Sequence, residues 1–529
     1  MIQPAFARTP ARVWNSLRTG SEPFPPALAA VVVGAHLYSM WVIGATYWAD
    51  SIDFVSFGDF IARGALGQFY SGDRYFLAQH QMPGLPLLWA FLSGLDERMI
   101  WYALALIQHG FAAMSLITFA LALRRFLPPL TIFVGALATS MHPFFSAFHN
   151  ALMTESIMSS CALLAAAQFV NFYADRNLSA TRVTLIAGSV VVGSMFRSYF
   201  LLFGLLLCVA LFLFDNNFTN RRRATLCFGV VLLSVSVFPI YRYSIIGKLF
   251  LPNLDFIELT VKSMALPGLT APAESALLEL PELSSVVSIE QLRTRPISYD
   301  ESIELSKRML AEGQSEQTVR SKFRATASAM MTGQFLQNLR FTGSALGLLN
   351  LPFLGDPAGP GQLYLKTGEL REHQNYYYEW FGWTQQENYQ ATFDAFVESD
   401  RQSPNLYSVE SIDRYATAIR GHITASPIWA KDPLRLAKIP PDILVAGWLL
   451  FVIVMLFRAP GIAVLFVLPV VMVLIACLAV PIGSIRYAHP LFPFYLIGAS
   501  FSCGWLGGVA RGFIANGFRG AGTSRSRVT

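Results

Sequence analysis

Ten long apolar runs constrain this chain more than anything else in it. They cover residues 27–47, 99–123, 128–147, 153–174, 181–196, 199–214, 224–243, 442–457, 460–482 and 489–510, each near the roughly 20 residues that cross a bilayer as a helix. Only 14% of the 529 residues are charged and 54% are hydrophobic, against roughly 25% charged in an ordinary soluble domain. Lipid is the main solvent, and the pattern predicts an α-helical polytopic membrane protein of about 10 (range 9–13) helices. The run from Ala27 reads as a retained first span, because no small-residue cleavage site follows it.

Formal net charge is +6, but the excess lies in the N-terminal arm, the short loops and the tail. That distribution speaks of orientation rather than nucleic-acid binding. With the N-terminus inside (Arg8, Arg12, Arg18), the inside loops hold Arg124–Arg125, Asp175–Arg176, Arg221 to Arg223 and Arg458, and the tail holds Arg511, Arg519, Arg525 and Arg527. Arg197 and Arg486 fall at outward helix ends instead. Capping a helix or meeting a lipid headgroup would explain either one alone. All five cysteines (Cys161, Cys208, Cys227, Cys477, Cys503) sit in apolar runs, so no disulfide framework is expected outside the membrane.

This gives a cytoplasmic arm at 1–26, a transmembrane core at 27–243 with a first outer loop at 48–83, an outer domain at 244–441, C-terminal spans at 442–510 and a basic cytoplasmic tail at 511–529. In the first outer loop, Ile52, Val55, Phe57, Phe60, Ile61 and Leu66 recur at near-helical spacing, predicting an amphipathic helix in the outer interface. The outer domain, with helical patches such as ESIELSKRMLAEG and the aromatic stretch NYYYEWFGW, is too long for a bare loop and should be folded and mainly helical.

An ionised side chain costs several kcal/mol in hydrocarbon, so those at the edges of apolar runs are functional candidates. They gather on the outward side: Asp50 and Asp53 after the first span, His142 and His149 at the end of the third, Glu155 opening the fourth, Arg197 between the fifth and sixth, and Arg486, Tyr487 and His489 before the last. Carboxylates with arginines and histidines suit acid–base chemistry on a phosphorylated substrate.

Four segments resemble the membrane-embedded GT-C glycosyltransferases, the superfamily of the protein O-mannosyltransferases and the lipid A aminoarabinose transferases. Asp50-Ser51-Ile52-Asp53-Phe54, with Gly58, Ile61 and Gly64, is similar to that family's first outer loop, and Met82-Pro83-Gly84-Leu85-Pro86-Leu87-Leu88 to its Pro-Pro-Gly-Tyr-Pro-Leu-Leu run. His142-Pro143 followed by Ala151-Leu152-Met153-Thr154-Glu155 resembles its proline-ended third span and Thr-Glu opening. Arg486-Tyr487-Ala488-His489-Pro490 resembles its late Arg-Tyr-x-x-Pro. Gln81 and Met82 stand where the lipid A transferases tend to carry a basic residue, and Ser51 stands where many relatives carry Glu.

The resemblance implies an inverting transfer of a sugar from a polyprenyl-phosphate carrier to a lipid, glycan or protein acceptor at the outer face of a cell inner membrane. It implies Asp50 as general base, with Asp53 as the alternative. Arg197 and Arg486 would clamp the leaving phosphate, helped by His80, Tyr487 and His489, and Glu155 would orient the acceptor or hold an arginine or histidine. Because no Asp-x-Asp pattern is present and arginines can hold phosphate, metal independence is expected and no cofactor besides the lipid-linked donor. A transporter or lipid flippase, and a polysaccharide polymerase or ligase, are the competing readings.

Overall fold

A computed structural model describes residues 24–43, 51–65, 82–215, 217–246, 271–294, 304–305, 308–333, 434–436, 439, 441–479 and 489–523. The described residues form helices and connecting turns, with no strand among them. A helix stands on each of the ten apolar runs: α1 Phe24–Ile43, then, after the first outer loop, α4 Glu97–Leu123, α5 Pro129–Met141, α7 Glu155–Asp175, α8 Ala180–Phe196, α9 Phe200–Leu213, α10 Phe218–Ile246, α14 Pro441–Arg458, α15 Pro460–Ala479 and α16 Phe492–Thr523. Among the described residues, four segments are long and apolar enough to cross a membrane: Phe24–Trp41, Met99–Leu123, Glu155–Asp175 and His489–Ala510. Shorter apolar helices of 10–17 residues accompany them.

Departures from the expected boundaries have local causes. The third run is broken at His142, which is extended (φ −68°, ψ 119°). Pro143 disfavours helical geometry in the residue before it, so the chain ends α5 and restarts as the eight-residue α6, Pro143–Asn150. The last helix runs on to Thr523, so residues 511–523 of the expected tail are helical; Phe513, Ile514 and Phe518 prolong its apolar character and no proline stops it.

At the centre lies α7, of whose residues nearly all are buried. It packs against α4 and α8, while α5 and α14 flank α16, and α1 lies against α4, α5 and α6. Arginines close the end of α7 opposite Glu155. Arg176 takes a left-handed conformation (φ 53°), and Asp175 accepts from Arg125 and, at 2.5 Å, from Arg182. Nearby, Arg223 donates to the Leu178 carbonyl at 2.9 Å and Arg221 to the Asp215 carbonyl at 2.7 Å. Arginines from three loops assigned to one side of the membrane thus meet at one end of the bundle.

Two short helices follow α1: α2 Ser51–Ala62 in the first outer loop and α3 Gly84–Leu92 directly after it. The apolar side of α2 is packed, with Phe54, Val55 and Phe57 buried. Its partner is α3, whose Trp89 indole N–H donates to Asp59 Oδ1 at 2.9 Å. Gly58 permits this approach, because a Cβ there would stand 2.5 Å from Trp89 Cδ1. In the expected outer domain, the described residues include α11 Ala271–Leu278, a 3-10 turn at Pro281–Ser285, α12 Ile289–Thr294 and α13 Glu316–Gly333. Leu277, Leu280, Leu283, Met309, Val319 and Phe323 are buried there. The aromatic stretch NYYYEWFGW lies outside the described residues.

Candidate functional site

Every segment that carries the family resemblance has described residues; those of the second, third and fourth meet at the Glu155 end of α7, and those of the first lie on α2, packed against α3. The second segment reaches that end through Gly84. The first residue of α3 abuts the end of α8 so closely that a Cβ would lie 2.7 Å from the Met195 carbonyl oxygen and 2.6 Å from Phe196 Cδ2. The next residue but one along the chain from Met195 is Arg197, which caps α8 in an extended conformation (φ −143°, ψ 117°). Its Nη2 donates to Glu155 Oε1 at 2.5 Å. The Glu155 side chain is fully buried and that of Arg197 is 18% exposed. Thr154 donates to the other carboxylate oxygen at 3.2 Å.

One turn along α7, Ser159 Oγ lies 2.8 Å from the Glu155 carbonyl and 2.6 Å from His489 Nδ1. His489 Nε2–H donates to the Phe145 carbonyl at 3.1 Å, and its ring stacks on that of Phe145 with centroids 4.8 Å apart. His489 therefore joins the fourth segment to α6 and α7. With oxygen atoms beside both ring nitrogens, its imidazolium form would have a hydrogen-bond partner on each side. His142 is buried against Phe492, ring centroids 4.8 Å apart.

Of the expected site residues, Glu155, Arg197 and His489 are brought together. Glu155 holds an arginine, one of the two roles expected of it; Thr154 rather than Glu155 stands at the helix N-cap, and it caps no backbone group with its side chain. Asp53 lies on α2, in the described backbone. Asp50, His80, Arg486 and Tyr487 lie outside the described residues.

The cluster is recessed rather than laid on a surface. Gln108 of α4 donates to the Ala151 carbonyl at 2.8 Å and to the His149 carbonyl at 3.3 Å, which places the start of α7 level with residues well inside α4. At 1.5 Å per residue, Gln108 is about 17 Å from the Glu97 end of that helix.

Behind it lies a polar group that the charge pattern does not reveal. His36 of α1 and His109 of α4 meet with Nδ1 atoms 2.9 Å apart. His109 Nε2 lies 3.0 Å from Asn150 Oδ1, while the Asn150 amide donates to Ser39 Oγ at 3.0 Å and the Ser146 carbonyl at 3.1 Å. His149, from α6, has Nδ1 2.5 Å from Ser156 Oγ. All these residues are buried. His36 and His109 sit in mid-run and carry no formal charge at neutral pH, so a search for ionised residues at helix ends passes over them. An imidazole or amide inside an apolar run, as at His36, Gln108 and His109, is the signal that finds them.

Among the described residues, no group of three or more His, Cys, Asp or Glu is placed so that it could hold a metal ion. No family model matches the chain, and neither a curated protein nor a solved structure matches it.

Proposed function

We propose that this chain is an inverting membrane glycosyltransferase that moves a sugar from a polyprenyl-phosphate donor to a lipid, glycan or protein acceptor at the outer face of a cell inner membrane, with both termini cytoplasmic. One observation carries the reading: three segments distant in sequence and each similar to a GT-C motif, the second, third and fourth, meet around the Glu155–Arg197 pair, and the first packs through α2 on α3 of the second. Ten membrane spans suit the ten helices, several of them short and therefore tilted or flanked by protein. The arginine-rich far end of α7 fits the cytoplasmic side under the positive-inside rule.

In this reading Asp50, immediately before α2, takes the proton of the acceptor hydroxyl as its oxygen attacks C1 of the sugar. Asp53 is the alternative base. The C1–O bond to the carrier breaks as the new bond forms, and the lipid phosphate leaves as an anion. Arg486, with His80 and Tyr487, meets that charge. Glu155 fixes the Arg197 guanidinium, and a guanidinium so held is suited to phosphate oxygens. Donor phosphate held in this way needs no metal. The recess beside α3 and α4 suits a lipid-borne donor that enters sideways from the bilayer. Purified chain in liposomes should transfer label from a polyprenyl-phosphate sugar and not from a sugar nucleotide; the reverse preference would refute the reading.

A second reading has one observation in its favour. His36 and His109 meet near the middle of α4, and intramembrane imidazoles are a common feature of proton-coupled transporters. A transporter would move solute in proteoliposomes when a pH gradient is imposed. A transferase would show no such dependence on the gradient.

A further inference from the structure

The end of α7 away from Glu155 is a platform of arginines braced by a buried polar network. Segments 124–126, 175–182 and 212–223 carry seven arginines and two acidic residues, Asp175 and Asp215. Asn220, buried near the start of α10, ties two of these segments together. Its side chain accepts from the Leu178 N–H at 3.2 Å and donates to the Arg176 carbonyl at 2.9 Å and to the Asp215 carboxylate. Arg182 and Arg223 sit on successive carbonyls of the same turn, Arg182 donating to Asn177 at 2.5 Å and Arg223 to Leu178 at 2.9 Å. The cations are held in place before any partner arrives, which removes part of the ordering cost of binding.

Positive charge is in excess here. A single carboxylate, Asp175, serves both Arg125 and Arg182. The other, Asp215, is buried and accepts from the Asn217 N–H at 2.8 Å and from Asn220. Arg221 to Arg223 follow one another in the opening turns of α10, whose first turn holds no acidic residue, so the partial positive charge of that helix end adds to theirs. Like charges gathered this closely are stabilised by an anion.

The surface beside the arginines identifies the kind of anion. Phe218, Arg222 and Leu226 are spaced four residues apart on α10 and so share one face. All three are exposed, Phe218 by 81% and Leu226 by 61%, and Leu233, two turns further on, by 72%. One exposed arginine thus heads an apolar stripe that runs down the helix. Inorganic phosphate or a soluble polyanion would match the arginines and leave the stripe uncovered; a charged lipid matches both.

We propose that this platform binds an anionic phospholipid of the adjoining leaflet, with its phosphate among Arg182, Arg222 and Arg223 and an acyl chain along Phe218, Leu226 and Leu233. Basic pockets between membrane helices are suited to such headgroups. The site is independent of the chemistry at the Glu155 end, and it serves a transferase or a transporter alike.

The test titrates full-length chain in detergent with dioleoyl-phosphatidylglycerol or dioleoyl-phosphatidylcholine, which have the same chains and one phosphate each, and counts bound lipid by native mass spectrometry. The anionic lipid should bind about ten-fold more tightly than the zwitterionic one. Arg222→Gln should weaken it about five-fold and Arg182→Gln/Arg222→Gln about twenty-fold. Arg458→Gln, which removes an exposed arginine at the end of α14, should leave binding unchanged. The proposal is overturned if the two lipids bind alike, if Arg222→Gln binds the anionic lipid as tightly as the unaltered chain, or if Arg458→Gln weakens binding as much as Arg222→Gln does. It is also overturned if millimolar inorganic phosphate at constant ionic strength displaces the lipid, because the apolar stripe would then contribute nothing.

Discussion

Arg197 Nη2 and Glu155 Oε1 lie 2.5 Å apart across 42 residues of sequence, the carboxylate fully buried and the guanidinium nearly so. Removing one partner of such a pair leaves an uncompensated charge in a dry place, at a cost of about 3–5 kcal/mol. Arg197→Gln should therefore lower the thermal midpoint in detergent markedly. The double variant Glu155→Gln/Arg197→Gln should recover most of that loss, because neither charge is left alone. A double variant as unstable as Arg197→Gln would show that the pair is not the source of the effect.

Gly58 lets α2 pack on α3, and Gly84 lets α3 pack on the end of α8, each by having no side chain. Gly58→Ala drives a methyl group into the Trp89 ring, and Gly84→Ala drives one into the Met195 carbonyl and Phe196. Overpacking of this kind costs about 1–3 kcal/mol. Trp89 can swing away more readily than backbone can, so Gly84→Ala should be the worse of the two. Thermal unfolding monitored by tryptophan fluorescence ranks them, and equal midpoints for both variants and the unaltered chain would contradict the close packing.

Glu282 responds to pH outside the membrane helices. Burial pushes its carboxyl up, but a backbone hydrogen bond, Gln314 and Lys322 (3.0 Å from Oε1) outweigh that and hold it below the usual carboxylate value. A carboxyl lowered in the folded state adds stability above its unfolded pKa, and that stability disappears as pH falls through the folded value. Protection factors of peptides from 271–294 and 308–333, with exchange corrected for the intrinsic rate at each pH, should thus be larger at pH 7 than at pH 3. In Glu282→Gln the difference should shrink by about 1 kcal/mol of protection, the scale of one partly exposed ion pair. An unchanged pH dependence in that variant would exclude Glu282 as its cause.

The ends of α7 assign opposite faces to two exposed loop positions. In a Cys503→Ser background, Gly94→Cys should react with a membrane-impermeant maleimide in intact cells, whereas Asn177→Cys should react only after the membrane is opened. Both residues are exposed in turns at helix ends. Labelling of Asn177→Cys in intact cells would reverse the orientation inferred from the arginines.

Much of this architecture is legible in the sequence because hydrocarbon tolerates so few alternatives: each apolar run near bilayer length became a helix. His142-Pro143 also shows on inspection, since the residue before a proline leaves the helical region, yet the break it causes inside 128–147 was hidden by the apolar character of Phe144, Phe145 and Phe148. Glu155, Arg197 and His489 stand out by charge or position, but their convergence depends on how α7, α8 and α16 pack, which no single run specifies. His36 and His109 were missed for a different reason. Neutral imidazoles leave the charge pattern untouched, and only the meeting of α1, α4 and α6 gives them a common environment. In the stretch 244–441, short helices with weak periodicity left only composition to read, and composition indicates helix without indicating partners.

Transfer of radiolabel from a polyprenyl-phosphate sugar by the purified chain in liposomes, with membrane lipid and glycan extract as acceptor, tests the central claim most directly. Unaltered chain should label the extract, and Asp50→Asn should lower the rate by about a hundred-fold or more, the scale of a lost general base, while its thermal midpoint stays unchanged. Full transfer by Asp50→Asn and Asp53→Asn, singly and together, or no transfer by the unaltered chain from any polyprenyl-phosphate sugar, would contradict it.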